Sequence, residues 1–165
     1  MKLVTLLSAA ALMTAPLMAG DYDALGKAMR STWPQVTTVA VVCDAANSKV
    51  AVDAIHSALP GVKILVVDVK GQQDMGKALG TLGTRRPDAV ILVAGDKVAG
   101  DGSSAASFLI QRMAAAKVPT LATTEAGVRQ GAVLGVGPGT GGKLLANAKV
   151  AAVAGVTVPS GASQI

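Results

Sequence analysis

Nine residues, DAVILVAGD from Asp88 to Asp96, constrain the fold of this chain more than any other stretch. Ala89 to Ala94 are apolar without a break, the pattern of a strand covered on both faces. A strand with one wet face shows a polar residue at every second position instead. Gly95 ends the run, a polar loop follows (Asp96, Lys97, Gly100, Asp101, Gly102), and a helix is expected to open at Ser103 and Ser104. Strand, loop and helix in that order make the crossover unit of a parallel sheet, and in open α/β sheets ligands gather outside the carboxyl ends of the strands.

The same unit recurs along the chain. Leu25, Met29 and Trp33 at four-residue spacing predict a short amphipathic helix over 21–33, closed by Pro34 and expected to pack across the sheet edge. Strands are expected at 36–42, 62–69, 89–94, 120–123 and 132–136. The helices between them are expected from Asn47-Ser48 to Leu59, from Gln72 to Leu82, from Ser103 to Lys117, and as a single turn at Glu125–Arg129. Three glycines in the second of these (Gly76, Gly80, Gly83) weaken it by about 1 kcal/mol each, and close packing on the sheet is the expected reason for them. A last helix is expected over 142–154, an extended piece over 156–159, and a loose end at 160–165. Five strands alternating with helices predict an α/β fold, a single doubly wound five-stranded parallel sheet with right-handed crossovers.

Before this domain, Lys2 precedes an apolar run from Leu3 to Met18 and the chain turns polar at Asp21. A charged start, a short apolar middle and a small-residue exit are the marks of a secretory signal. The expected division is a signal over 1–19, an α/β domain over 20–159 and a tail over 160–165, in a periplasmic or secreted protein. Ser8, Thr14 and Pro16 interrupt the run, which falls short of the ~20 residues of a spanning helix. Loss of the leader removes one Lys and leaves 14 basic against 10 acidic residues, a mild excess that is scattered apart from Arg85-Arg86. With three aromatics in the chain (Tyr22, Trp33, Phe108), stacking platforms for single-stranded nucleic acid are lacking, and no nucleic-acid partner is expected. Cys43, the lone cysteine, has no partner for an internal disulfide and is expected to be a small buried side chain.

Two motifs imitate catalytic ones. Gly137-Pro138-Gly139-Thr140-Gly141-Gly142-Lys143 has the spacing of a phosphate-cradling loop, but Leu144 stands where a hydroxyl should hold magnesium, and the turn follows the last strand. Asp44, Asp96, Thr123 and Lys143 resemble a phospho-receiver set but lack its second acid after the first strand. No GxSxG turn and no Ser, His and acid set is present, and His56 has no metal-ligand partner at suitable spacing. The chain is therefore expected to be non-enzymatic, with no cofactor and no metal. A parallel sheet brings the polar residues at its strand ends (Asp44, Asn47, Ser48, Asp96, Lys97, Thr123, Thr124, Glu125, Thr140) to one edge, where helix capping accounts for some of them.

The chain resembles the substrate-binding proteins of ABC transporters, of the periplasmic type I class that binds amino acids such as tryptophan or tyrosine, and it resembles their carboxy-terminal lobe only. The resemblance rests on Trp33 to Val42, the Asn47-Ser48 helix start, Pro87-Asp88-Ala89-Val90 and, above all, VPTLATTEAGVRQGAVLGVG from Val118 to Gly137. It implies one lobe of that fold, with strand order 2-1-3-4-5. It also implies a binding role for Asn47, Ser48, Asp96, Lys97, Thr124 and Glu125, and a small polar solute or amino acid as ligand. An ABC permease or another periplasmic protein would be the partner. The chain departs from the family at Asp96-Lys97, where Asp-Asn is usual, at Pro138-Gly139-Thr140, where Asp-Tyr-Tyr is common, and in having one lobe where the family closes two. A homodimer pairing two strand-end edges would rebuild the cleft. The rival expectation is an interaction or sensor-accessory module whose solute site has decayed.

Overall fold

The structure, a computed structural model, describes residues 19–137 and 142–165. Residues 1–18 of the signal-like leader lie outside the described residues, as does the centre of the glycine-rich turn at 138–141.

Alternate residues of the apolar strands leave the sheet on opposite faces, and this divides the core in two. Strand β1 (Thr38–Cys43) sends Val39, Val41 and Cys43 to one face and Ala40 and Val42 to the other; β3 (Ala89–Leu92) does the same with Ala89 and Ile91 against Val90 and Leu92. The first face is covered by α1 (Ala19–Thr32), α2 (Lys49–Ala58) and α6 (Ala148–Ala154), and the second by α3 (Met75–Arg85) and α4 (Ser104–Ala115). Tyr22, Leu25, Met29 and Trp33 all lie in the first core. The first helix therefore packs flat on a face against α2 and does not cross the edge, because its four apolar anchors form one continuous stripe.

The sheet has seven strands in the order β2-β1-β3-β4-β5-β6-β7. Here β2 is Lys63–Asp68, β4 Thr120–Ala122, β5 Leu134–Gly135, β6 Leu145–Ala146 and β7 Ser163–Gln164, while the five-residue α5 (Glu125–Arg129) links β4 to β5. The first five strands are parallel in the expected order. The expectation of a five-stranded, wholly parallel sheet is corrected by β6, which runs antiparallel to β5, and by β7, parallel to β6. Leu145 and Ala146 are buried and pair with β5, so the last helix starts only at Ala148, where Asn147 caps it by accepting the Val150 N–H at 3.1 Å. The tail at 160–165 is not loose: Ser163 N–H donates to Leu144 O and Ile165 N–H to Ala146 O. Trp33 Nε1 fixes the segment before it by donating to Thr157 O at 2.9 Å.

A further correction concerns α3. Gly76, Gly80 and Gly83 are exposed with open space where a Cβ would sit, so close packing on the sheet does not explain them. The 3-10 turn Gln72–Asp74 precedes this helix, which ends at Arg86 in the left-handed conformation (φ 46°).

Candidate functional site

Parallel strands place the exits of β1, β3 and β4 side by side, and three loops leave the sheet there. The first carries Asp44, Asn47 and Ser48, the second Asp96, Lys97 and Asp101, and the third Thr123, Thr124 and Glu125.

Asp96 is buried and joins the first two loops. Its Oδ2 accepts the Asp44 N–H at 2.8 Å and the Ser48 hydroxyl at 2.6 Å; its Oδ1 accepts Val98 N–H at 2.9 Å and Ala99 N–H at 2.8 Å. Both oxygens are spent on protein donors, which makes Asp96 a strut between loops. Ser48 opens α2 without capping it through its side chain, because its hydroxyl is committed to Asp96. Beside the strut, Asn47 Nδ2 donates to Asp44 Oδ2 at 2.6 Å, and Lys70 pairs with Asp44 at 2.7 Å and Asp68 at 3.0 Å. Lys70, then Asn47, holds the Asp44 carboxyl down at about 2. The Ala45 N–H, then Lys70, lowers Asp68, and the two carboxylates raise Lys70. Burial, with Asp96 next, pushes the Cys43 thiol up to about 12, which keeps this buried sulfur protonated and unreactive.

Asp101 joins the second loop to the third. Its Oδ2 accepts the Thr123 N–H at 3.2 Å and the Thr124 hydroxyl at 2.8 Å, while Thr124 Oγ1 caps α5 by accepting Gly127 N–H at 3.1 Å. A Cβ at Gly127 would press on Ala122 and on the Asp101 carboxylate, so glycine is what lets α5 approach this loop. Burial raises the Asp101 pKa against the opposing bonds from Thr124 and Thr123. Asp101 Oδ1, Thr123 Oγ1 and the Tyr22 hydroxyl are buried and make no hydrogen bond. Tyr22 reaches this spot because α1 starts at the strand-exit edge. Its hydroxyl lies beside Thr123 and the Ala94 backbone without hydrogen-bonding geometry, and burial pushes its pKa up to about 12.

The six residues singled out in the sequence thus divide. Ser48 and Asp96 meet directly, Asn47 belongs to the Asp44 corner, and Thr124 belongs to the Asp101 corner. Lys97 is exposed and makes no ion pair among the described residues. Glu125 turns along α5 to Arg129, whose Nε donates to it at 2.8 Å. Sequence reasoning does not single out Asp101 or Tyr22: the one reads as loop solvation in Gly-Asp-Gly-Ser-Ser, and the other sits 79 residues earlier in a helix whose spacing predicts only apolar anchors.

No protein-family model matches the chain, and no curated protein matches it by sequence. Solved structures do match. The ABC domain in complex with L-Trp from Streptococcus pneumonia superposes with a TM-score of 0.71 at 17% identity, over 87% of this chain and 61% of that one. The fold is that of one periplasmic-binding-protein-like lobe. A conserved domain protein from Vibrio cholerae gives a TM-score of 0.69 at 16% identity, over 87% of this chain and 59% of that one. The ligand-free, open structure of a substrate-binding protein with adhesive properties from Clostridium difficile gives 0.68 at 18% identity, over 84% and 57%. The chain therefore spans about three-fifths of the length of these three structures.

Proposed function

We propose that this protein is an exported, non-enzymatic solute-binding domain that engages a small polar solute at the exits of β1, β3 and β4, as a binding component or accessory of an ABC transporter. The observation that carries this reading is the match in fold of nearly the whole described chain to an ABC domain in complex with L-Trp and to a substrate-binding protein. The strand-exit edge supports it, because three loops converge there with polar groups on a rigid frame, as small-molecule sites require. One lobe covers only one side of a solute, so a weak, fast-exchanging site is expected unless a second copy or another protein supplies the opposite wall.

A thermal-shift screen of the purified protein against amino acids, amines, purines and small carboxylates tests the reading. A ligand at ~100 times its dissociation constant adds about 2.7 kcal/mol, which raises the midpoint by several degrees in a domain of this size. A flat screen, with light scattering showing a strict monomer, would discard it. One observation favours the rival interaction module: the carboxylates of Asp96 and Glu125 are already engaged inside the protein. Crosslinking in intact cells that recovers one defined partner, together with a flat solute screen, would decide for that rival.

A further inference from the structure

Three buried polar atoms converge on the strand-exit edge from three separate elements: the Tyr22 hydroxyl from the first turn of α1, Asp101 Oδ1 from the loop after β3, and Thr123 Oγ1 from the end of β4. Tyr22 is 3% exposed and Thr123 2%, so water in bulk does not serve them. Buried polar groups are almost always paired, and each one left alone is expensive. Here three such atoms lie together in one corner, with the Tyr22 hydroxyl beside Thr123.

The chemistry of the corner selects the occupant. Asp101 is a carboxylate with one oxygen held by Thr123 N–H and the Thr124 hydroxyl and the other free, and no Lys, Arg or His forms an ion pair with it among the described residues. The complement of an unpaired buried carboxylate flanked by two hydroxyl oxygens is a cation carrying N–H donors. A primary ammonium has three such donors, one for each free oxygen.

We propose that Asp101 Oδ1, Thr123 Oγ1 and Tyr22 Oη bind the primary ammonium group of a small solute, admitted when the first turn of α1 lifts Tyr22 off the strand exits. The proposal rests on the solute-binding reading and names the chemical class of its ligand. Opening is local: Tyr22 lies on the first turn, whereas Leu25, Met29 and Trp33 further along anchor α1 in the core, and helix ends open at lower cost than the elements behind them.

Isothermal titration of the purified protein with three probes of one shape tests this. Leucinamide offers the ammonium without a carboxylate, its N-trimethyl derivative keeps the charge but has no N–H on it, and 4-methylpentanoate offers a carboxylate alone. Leucinamide is expected to bind and the other two are not. Tyr22→Phe removes one acceptor and is expected to weaken leucinamide binding about tenfold, and Asp101→Asn is expected to abolish it, with buried Trp33 fluorescence confirming that both variants are folded. Absence of leucinamide binding, or equal binding by wild type and Asp101→Asn, would overturn the proposal; a single buried water satisfying the three oxygens would give the first of these results. If the wider screen finds neutral or anionic solutes while leucinamide fails, the ammonium site falls and the solute-binding reading stands.

Discussion

The Ser48 hydroxyl donates to Asp96 Oδ2 at 2.6 Å, joining two loops 48 residues apart in the chain. Because the same oxygen accepts the Asp44 N–H, the start of α2 and the exit of β3 are fixed as one unit. Replacing Asp96 by Ala leaves a buried hydroxyl and three backbone N–H groups without their acceptor, and is expected to cost about 3–5 kcal/mol. Ser48→Ala, which removes one donor and leaves the carboxylate three others, should cost only about 1–2 kcal/mol. Urea unfolding of both variants checks the ranking, and equal costs would show that Asp96 is not the strut.

Asp101→Asn carries the opposite sign. The amide oxygen still accepts from Thr123 and Thr124, the desolvated charge is gone, and the new NH2 can donate to the hydroxyls beside it. The unliganded protein is expected to gain about 1 kcal/mol, read as a higher thermal midpoint at pH 7. A loss of stability would mean that the free oxygen is satisfied in solution.

The two acidic corners also answer pH differently. Asp44 is held at about 2, below its ordinary 3.8, so its contribution is complete above that ordinary value and is lost as pH falls toward 2. Asp101 is raised, so its ionised form opposes folding, and stability attributable to it grows as pH falls through its raised value toward 3.8. Lys70→Ala is expected to flatten the acid loss between about pH 4 and 2, and Asp101→Asn to remove the gain that precedes it. Midpoints measured from pH 2 to 7 on the three proteins separate the two effects, and parallel curves would refute both assignments.

Gly100 sets the turn after the strut. A Cβ there would run into the Asp96 backbone at both N and O, atoms that cannot move without breaking the loop. Gly100→Ala is expected to destabilise by about 2 kcal/mol or more, whereas Gly80→Ala on the open side of α3 should stabilise by about 0.5–1 kcal/mol. Thermal midpoints moving in the same direction for both would contradict the packing described for these two positions.

The parallel core was legible because its central strands β1 and β3 are covered on both faces and read as unbroken apolar runs: Ala89 to Leu92 falls inside the expected 89–94, and the strand order is the one the resemblance implies. β6 and β7 were not legible, since two residues each, Leu145-Ala146 and Ser163-Gln164, give no periodicity to read. The apolar content of Leu144 to Ala154 was absorbed into one helix, although Asn147 before Ala148 is a capping signal that could have divided it. At the strand exits the right loops were legible and the roles of single residues were not. Sequence spacing cannot tell a carboxylate whose oxygens are filled, Asp96, from one with an oxygen left over, Asp101; that difference is made by backbone N–H groups and by a helix from the start of the chain.

The bond from Trp33 to Thr157 spans 124 residues, and it sets an order in time. The face under α3 and α4 draws mainly on a contiguous stretch from β2 to β4, with neighbouring β1 completing it, and loop closure over such distances is cheap. The opposite face begins with α1 against α2 and is completed only by α6 and the segment behind it. A chain leaving the ribosome can therefore bury the face under α3 and α4 before Thr157 has been made, whereas the Trp33 indole gains its acceptor only afterwards.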